Sequence, residues 1–414
     1  MEKLLDRFLS YVKVGTASDD KSESCPSTKG QLELGRMLVD EMKEIGITDA
    51  GIDKNGYVTG TLPGNNSNIP VIGFIAHLDT SPEMPGNNVR PQIIPDYPGT
   101  NIALNKKLGI LLSPDDFPEL KNYTGQTLIT TDGTTLLGAD NKAGIAEIMT
   151  AAEILLKESD FERGDVKICF TPDEEIGRGA NKFDVEKFGA DHAYTVDGGE
   201  AGSLEYETFN AASVTVTVQG RSIHPGTAKN QMINSIGIAQ EYCRMLPQAE
   251  KPEHTEGYEG YFHVFDFKGS VDSTIMRILI RDHSEKRFVY RKQTVREITD
   301  YLNNRYDDTI VTSSIRDEYY NMRQKIEPFM HVVKKAEEAI RNCGIIPLIT
   351  PVRGGTDGSK LSYMGLPCPN IFTGGHNFHG KYEYIPLESM QKAVNVICEI
   401  VRLTAGGPTL NSAG

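Results

Sequence analysis

Apolar residues recur at helical spacing in the first part of the chain. Leu4, Phe8 and Val12 would lie on one side of a first helix, and apolar positions within residues 32–42 form a second helix that ends near Gly46. Charged residues interrupt the N-terminal apolar positions, so this stretch lacks the continuous hydrophobic segment of a signal peptide. We expect two amphipathic helices that face a core.

From residue 71 the pattern changes to short, continuous apolar runs, each followed closely by acidic or histidine residues. The runs are VIGFIA (71–76), VKICF (166–170) and HAYTV (192–196). Such runs suit strands that are buried on both faces, as in a mostly parallel sheet covered by helices. A helix over 142–157, capped by Asp140 or Asn141, separates the first two runs. This alternation of strand and helix predicts an α/β fold.

A different pattern begins after Leu204. Residues 213–218 (SVTVTV) alternate strictly between apolar and polar, which is typical of a strand with one exposed face. The segments that follow are predicted to be helix, strand, strand, helix and strand, at 232–246, 261–268, 274–280, from 284 onward, and 309–315. The order βαββαβ predicts one antiparallel sheet with helices on one face. We therefore expect a second domain, inserted at 208–322.

The α/β pattern resumes after this insertion. It predicts a helix near 328–342, strands at 346–350 and 370–372, and a closing helix at 387–404. The first domain would thus be discontinuous, with residues 1–207 and 323–414. The tail GGPTLNSAG is rich in Gly, Ser and Pro, and we expect it to be poorly ordered.

Composition excludes several classes of function. Lys and Arg total 43 and Asp and Glu total 57, so the net charge of −14 argues against a surface for nucleic acid or anionic membranes. No apolar run approaches the roughly 18 residues that a membrane helix needs. The six cysteines show neither CxxC nor regular spacing, which favours free thiols and a cytoplasmic location over a disulfide framework or a thiolate zinc site. They are Cys25, Cys169, Cys243, Cys343, Cys368 and Cys398.

Five segments carry residues that are suited to metal chemistry. Four of them directly follow a predicted strand or begin a helix, and in open α/β sheets reactive groups collect beyond the carboxyl ends of the strands. Together they offer imidazole nitrogens and carboxylate oxygens, which are the ligands of a catalytic zinc. The residues are His77 with Asp79, Asp140, Glu174 with Glu175, Asp197, and His379.

The order of these residues predicts a pair of metal ions that share one ligand. A carboxylate with two oxygens can bridge two metals about 3.5–4 Å apart, and Asp140 is the natural bridge. One metal would also take His77 and Asp197, and the other would take Glu175 and His379. The remaining acids would then have separate roles. Glu174 would act as general base and acid, and Asp79 would accept the second N–H of His77 and so set its tautomer.

Each segment by itself also has an ordinary structural interpretation. An HxD sequence at a strand end can be a surface turn, and Glu174 with Glu175 can be a solvated acidic turn. Asp140 can be only a helix cap, and Asp197 can be only part of a turn. His376 and His379 can both be loop histidines without a metal. The metal interpretation rests on the combination, because separate strand ends rarely all carry nitrogen and oxygen ligands by chance.

Two further residues are candidates for contacting a substrate. Arg353, in VRGGTDGSK, could clamp a carboxylate with two hydrogen bonds, assisted by the N–H groups of Gly354 and Gly355, or it could belong to a surface turn. His224, in GRSIHPG, could reach an oxyanion if the inserted domain covers the site, or it could be a histidine without a function.

As a set, the motifs resemble those of a known enzyme family. The co-catalytic zinc exopeptidases, which include aminoacylase, carboxypeptidases and bacterial di- and tripeptidases, carry similar motifs in the same order and spacing. The resemblance covers residues 1–405. The segments that carry it are HLDT, GADNKAG, TPDEEIGRG, VDGG, SIHPG, RGGTDGS and GGHNFHGKYEY.

The resemblance implies an architecture and a set of ligands. It implies a zinc-exopeptidase-like α/β catalytic domain (1–207 and 323–414) and an inserted ferredoxin-like α+β lid domain (208–322) that forms a homodimer. It also implies a cis peptide between Asp140 and Asn141. Two Zn²⁺ per subunit are implied, one held by His77, Asp140 and Asp197 and the other by Asp140, Glu175 and His379.

The implied activity is that of a cytoplasmic aminopeptidase that removes the N-terminal residue of tripeptides. Glu174 would be the general base, Asp79 would orient His77, His224 would stabilise the oxyanion, and Arg353 would bind the peptide's C-terminal carboxylate. Two alternatives stay open: another amidohydrolase of the family, such as an N-acyl amino acid deacylase or a carboxypeptidase, and a metal-dependent binding protein without catalysis.

Overall fold

A computed structural model describes residues 2–158, 161–306 and 310–406. In these ranges no helix combines the length and the apolar character that crossing a lipid bilayer requires. Thr309, which begins the strand predicted at 309–315, lies outside the described residues. So do residues 407–414, which make up nearly all of the tail expected to be poorly ordered.

The helices are numbered along the chain. Within the described ranges they are α1 (Glu2–Tyr11), α2 (Lys29–Ile45), α3 (Ala139–Lys157), α4 (Val185–Phe188), α5 (Ser235–Met245), α6 (Glu285–Tyr306), α7 (Arg323–Ile326), α8 (Met330–Asn342), α9 (Asp357–Tyr363) and α10 (Leu387–Ala405).

The strands are numbered in the same way. They are β1 (Gly51–Ile52), β2 (Val58–Leu62), β3 (Ile72–His77), β4 (Gln92–Ile94), β5 (Ile102–Asn105), β6 (Ile110–Leu112), β7 (Leu128–Thr130), β8 (Val166–Thr171), β9 (His192–Gly198), β10 (Ser203–Glu205), β11 (Asn210–Gln219), β12 (Tyr261–Gly269), β13 (Ser273–Asp282), β14 (Val311–Tyr319), β15 (Leu348–Ile349), β16 (Asn370–Phe372) and β17 (Tyr384–Pro386).

The chain divides into two compact units. The large unit comprises Met1–Tyr206, Lys325–Thr350 and Thr356–Gly414, and the small unit comprises Glu207–Gln324 and Pro351–Gly355. Each unit has its own sheet and its own apolar core.

An eight-stranded sheet with the order β1-β2-β8-β3-β9-β16-β10-β15 forms the centre of the large unit. Its middle strands β8, β3, β9 and β16 are parallel, and every residue of β3 is buried. Helix α3 packs against β3 and β9, and α10 packs against α3. This is the α/β fold predicted from the continuous apolar runs, because strands covered by helices need apolar residues on both faces.

The edges of this sheet depart from a simple parallel arrangement. Strands β1 and β2 are antiparallel to their neighbours, and β10 is antiparallel to β16. The large unit also contains a three-stranded sheet, β17-β7-β4, and the hairpin β5-β6. Their strands lie between residues 92 and 130, except for β17, which lies near residue 385. These strands have two to five residues, too few for an apolar period to stand out from the loops around them.

The small unit has the antiparallel order β12-β13-β11-β14. Burial alternates along β11 and β13, as the strict alternation in SVTVTV indicates. The inward residues of both strands pack with α5 and α6 into one core, which includes Val214, Val216, Ile278, Tyr242 and Phe288. One sheet with both helices on the same face therefore forms this unit.

Truncation of a core residue tests this alternation. Ile278 lies on a central strand and is fully buried, whereas its neighbour Arg277 is exposed. We expect Ile278→Ala to lower the free energy of unfolding by about 2–5 kcal/mol in a denaturant titration, because the cavity fills only in part. The control Arg277→Ala should cost less than about 0.5 kcal/mol. Equal losses would mean that the two faces of β13 are assigned wrongly.

Candidate metal centre

Three neighbouring parallel strands bring four of the predicted site residues to one edge of the large unit's sheet. His77 is the last residue of β3, Asp197 lies next to the end of β9, and Glu174 and Glu175 follow β8 in a turn. Because β8, β3 and β9 are adjacent and parallel, their carboxyl ends coincide. Side chains separated by up to 120 positions in the sequence therefore become neighbours.

Asp140 joins this cluster from the beginning of α3. Its backbone is not helical (φ −84°, ψ 102°), and the peptide that links it to Asn141 is cis, as the family resemblance implies. Oδ1 of Asp140 lies 2.9 Å from Nε2 of His77, and Oδ2 lies 3.1 Å from Nε2 of His379. The two oxygens of this carboxylate thus face two different imidazoles, which is the arrangement expected of a shared ligand.

One more acid lies beside each imidazole. Oδ1 of Asp197 is 3.3 Å from Nε2 of His77, and Oε2 of Glu175 is 3.0 Å from Nε2 of His379. The structure therefore assembles the five residues predicted as ligands into two groups that share Asp140.

Asp79 is fully buried and connects two loops of the cluster. Its Oδ1 and Oδ2 accept hydrogen bonds from the backbone N–H groups of Glu174 (2.9 Å) and Glu175 (3.1 Å). Its backbone carbonyl lies 3.0 Å from Nδ1 of His77. A carbonyl oxygen can only accept, so Nδ1 carries a hydrogen, and Nε2 is the nitrogen directed at Asp140 and Asp197. With the hydrogen on Nδ1, loss of the Nε2 proton leaves a lone pair for a metal. This is the tautomer that binds a metal through Nε2.

The pKa values in the cluster reflect the burial of several acids close to one another. Burial and the Asp140 carboxylate raise the pKa of Glu175 to about 8, and burial also raises the pKa of Asp197 and that of Glu174. Burial opposes the charged form of His379, but its hydrogen bonds to Asp140 and Glu175 raise its pKa to about 11. Without a metal, protons on the histidines and glutamates offset the accumulated negative charge.

Groups of three possible ligands whose atoms lie within 4.8 Å of one another mark the same place. Within the described residues these groups are His77, Glu174 and Asp197, and His77, Asp140 and Glu175. Glu174 is therefore close enough to His77 and Asp197 to serve as a ligand. Distance alone does not separate this role from that of a base.

Comparison with known proteins agrees with this site. Residues 130–403 match the profile of Peptidase family M20/M25/M40. Peptidase T of Halothermothrix orenii is 57% identical to this chain over 406 residues, which are 98% of this chain and 100% of that protein.

The chain belongs to Peptidase family M20/M25/M40. It is thus a hydrolase that acts on peptide bonds. The family resemblance inferred from its motifs is confirmed.

Solved structures of M20 peptidases have the same fold. The crystal structure of the aminopeptidase PepT from Bacillus cereus superposes with a TM-score of 0.77 at 23% identity and covers 98% of each chain. A dinuclear metal-binding M20 peptidase from Bacillus subtilis gives a TM-score of 0.65 at 14% identity, covering 98% of this chain and 99% of that one. The predicted α/β fold class with an inserted α+β domain is confirmed.

The structure gives the two histidines of this loop different surroundings. In this M20 peptidase His379 lies at the cluster, whereas Nε2 of His376 is 2.6 Å from the hydroxyl of Tyr123 and its ring stacks on Tyr384. Burial lowers the pKa of His376 to about 4. His376 is therefore a neutral packing residue near neutral pH.

Sequence reasoning missed two buried carboxylates that hold the loops of the cluster. Asp173, next to the acid pair, accepts hydrogen bonds from Ser27 and from Nε2 of Gln31 (2.7 Å). Glu383 accepts three backbone hydrogen bonds from the loop that precedes Asp140. The available signal was that each acid lies inside a motif that carries the family resemblance, Asp173 in TPDEEIGRG and Glu383 in GGHNFHGKYEY.

The two predicted substrate contacts lie in the small unit. The guanidinium of Arg353 donates to the backbone oxygens of Gly257 and Glu259, both at 2.8 Å, and also lies over the rings of Phe209 and Tyr261. The ring of His224 accepts a hydrogen bond from the N–H of Gly226, two residues later. The roles of Arg353 and His224 toward a substrate stay predictions.

The low pKa of His376 predicts how stability depends on pH. Its pKa is about 4 when folded and about 6.5 when unfolded, so between these values the unfolded chain binds the extra proton. Acidification through this window should therefore destabilise the fold by about 1.4 kcal/mol per pH unit. His376→Phe keeps a ring against Tyr384 and does not titrate.

Denaturant unfolding of the metal-free proteins at several pH values measures this effect. The unfolding free energy of the wild type minus that of His376→Phe should be largest near neutral pH. This difference should fall as the pH falls toward about 4, because only the wild type loses the contribution of a neutral His376. A difference that is constant across the window would show that His376 is not held neutral.

Proposed function

We propose that this chain is a metal-dependent aminopeptidase that removes the N-terminal residue of tripeptides with two Zn²⁺ per subunit and Glu174 as general base. The observation that carries the proposal is the position of Asp140, one of whose oxygens faces His77 and the other His379. A single carboxylate between two sets of nitrogen and oxygen ligands suits a pair of metal ions.

The chemistry of the cluster fits bound cations. Asp140, Glu175 and Asp197 approach the two imidazoles, yet the ion pairs of these three acids among the described residues are all with histidine and none is with Lys or Arg. Oε1 of Glu175 is buried without a hydrogen-bond partner in the described structure. Buried acids in such numbers need compensating positive charge. Two dications would supply it and would keep the carboxylates ionised.

The proposed division of the ligands is the one predicted from the sequence. One zinc would be held by His77, Asp140 and Asp197, and the other by Asp140, Glu175 and His379. Metal ions held there would supply Lewis acidity toward the scissile carbonyl and would make a nearby water more acidic. Imidazole nitrogens with carboxylate oxygens, and without cysteine, are typical of catalytic zinc.

Glu174 has the environment of a proton carrier. Its backbone N–H is held by Asp79, and burial of its carboxyl raises its pKa well above the ordinary value. A carboxyl with a raised pKa accepts a proton from water and holds it until the leaving amine takes it. The peptide bond breaks as the amine receives this proton.

The substrate class follows from the relatives. Peptidase T proteins match nearly the whole chain, and the relative from Halothermothrix orenii is 57% identical. A zinc pair of this kind would also serve a deacylase or a carboxypeptidase. An aminopeptidase needs a substrate with a free amino group, whereas a deacylase acts on a substrate whose amino group is acylated. A homodimer through the small unit and a cytoplasmic location stay predictions.

Removal of the Glu174 carboxyl separates its two possible roles. We expect Glu174→Ala to retain about two zinc ions per chain and to lose nearly all turnover, because the base is not a ligand. Metal analysis after dialysis, together with the rate of peptide hydrolysis, measures both quantities. Asp197→Ala is the comparison in which metal should be lost. If Glu174→Ala loses a metal ion in the same way, Glu174 is a ligand and the base has been assigned wrongly.

A panel of peptides tests the activity. Release of the free N-terminal amino acid is measured for a di-, a tri- and a tetrapeptide, each with and without an N-acetyl group, in metal-depleted and zinc-restored protein. We expect zinc-dependent release from the unblocked tripeptide. Activity confined to acetylated substrates would make the protein a deacylase, and zinc binding without any hydrolysis would favour the non-catalytic alternative.

A further inference from the structure

Glu383 occupies an unusual position for an acid. Its side chain is 1% exposed, and it belongs to the segment that carries His379, just before β17. Oε2 accepts hydrogen bonds from the N–H groups of Leu137 (2.6 Å) and Gly138 (2.8 Å), and Oε1 accepts one from that of Asp140 (3.1 Å). Its hydrogen-bond donors in the described structure are thus all backbone groups of one loop.

This loop forms an anion-binding concavity. Gly138 has a left-handed backbone (φ 81°), and a turn of this kind can direct successive N–H groups to one point. The third N–H group, that of Asp140, lies in the first turn of α3, where a helix has no internal acceptor for its donors. The buried amino group of Lys142 donates instead to the carbonyl of Val14. Glu383 therefore supplies the hydrogen-bond acceptors that this turn requires.

We infer that Glu383 is a positioning residue that sets the distance between Asp140 and His379 and hence the metal affinity of the group formed by Asp140, Glu175 and His379. This inference rests on the proposed two-metal function. His379 lies in a loop with a left-handed backbone (φ 62°), and Asp140 lies at an irregular helix start. Neither is held by the ladder of a sheet. The bonds of Glu383 join their two segments directly.

The other group of ligands has a different support. His77 and Asp197 lie on β3 and β9, which pair in parallel with Ile75 opposite Thr195. The backbone pairing of these strands ends two residues before His77 and Asp197, so the sheet itself holds their segments side by side. Asp140 begins α3, which packs against β3 and β9, so Asp140 keeps this support when Glu383 is lost. Loss of Glu383 should therefore free mainly the segment of His379 and weaken one metal site much more than the other.

Glu383→Gln is the sharpest variant. An amide keeps the size of the side chain but has only one acceptor oxygen, and its NH₂ group would meet an N–H donor. The matched control is Glu399→Gln. Glu399 is also fully buried in the large unit, but it accepts a hydrogen bond from Asn342 of α8 and pairs with Arg402 of α10, and none of these three residues is a predicted ligand.

Thermal unfolding first verifies that metal-free wild type, Glu383→Gln and Glu399→Gln are folded. Zn²⁺ is then titrated into each protein in competition with a chromophoric chelator. We expect two zinc equivalents in all three proteins. One equivalent should bind about 10–100-fold less tightly in Glu383→Gln than in the wild type, with a much smaller change in the other and no selective change in the control.

Other outcomes would overturn the inference. Wild-type affinity for both equivalents in Glu383→Gln, or equal weakening of both, would show that Glu383 does not act selectively on the group containing His379. If Glu383→Gln does not fold, Glu383→Asp is titrated instead. It keeps the charge but has a shorter reach, and it should show the same selective loss in weaker form. A wild type that binds no zinc would contradict the proposed function itself, which separates that failure from this one.

Discussion

The carboxylate of Asp140 is the contact on which the rest of the site depends. Its oxygens lie 2.9 Å from one imidazole and 3.1 Å from another, so a displacement of this one side chain would disturb both groups of ligands together. The carboxylate holds this position because the backbone at Asp140 leaves the helical conformation although α3 has begun. A helical Asp140 would be an ordinary residue of the first turn.

So many buried acids require a matching supply of donors, and the backbone provides it. Asp79 binds the N–H groups of the acid pair, Asp173 binds that of Ser27, and Glu383 binds those of the loop before α3. Each of these carboxylates joins two segments that are distant in the sequence. Hydrogen bonds from backbone N–H groups stabilise these carboxylates, and the ion pairs of Asp140, Glu175 and Asp197 among the described residues are with histidine.

The sheet and the loops contribute differently to the site. β8, β3 and β9 place their ends side by side through main-chain pairing, so His77 and Asp197 lie on rigid elements. Asp140 and His379 lie at irregular backbone and depend on side-chain contacts for their positions. Loops held by a rigid scaffold are where many enzymes keep their reactive groups. The division also explains why a residue that contacts no ligand side chain, such as Glu383, bears on one group of ligands more than on the other.

The sequence by itself determined the parts that depend on local pattern. Continuous apolar runs predicted the parallel strands, alternation in SVTVTV predicted the antiparallel sheet, and the acids after each strand predicted a cluster at one edge. The sequence analysis also chose His379 rather than His376 for this cluster, but only the tertiary structure decided what His376 contacts, because its partner Tyr123 is 253 positions away in the sequence. Tertiary structure also decided the roles of Asp173 and Glu383. Their partners are backbone N–H groups of remote segments, and a backbone N–H is the same in every residue except proline, so the sequence carries no mark of it.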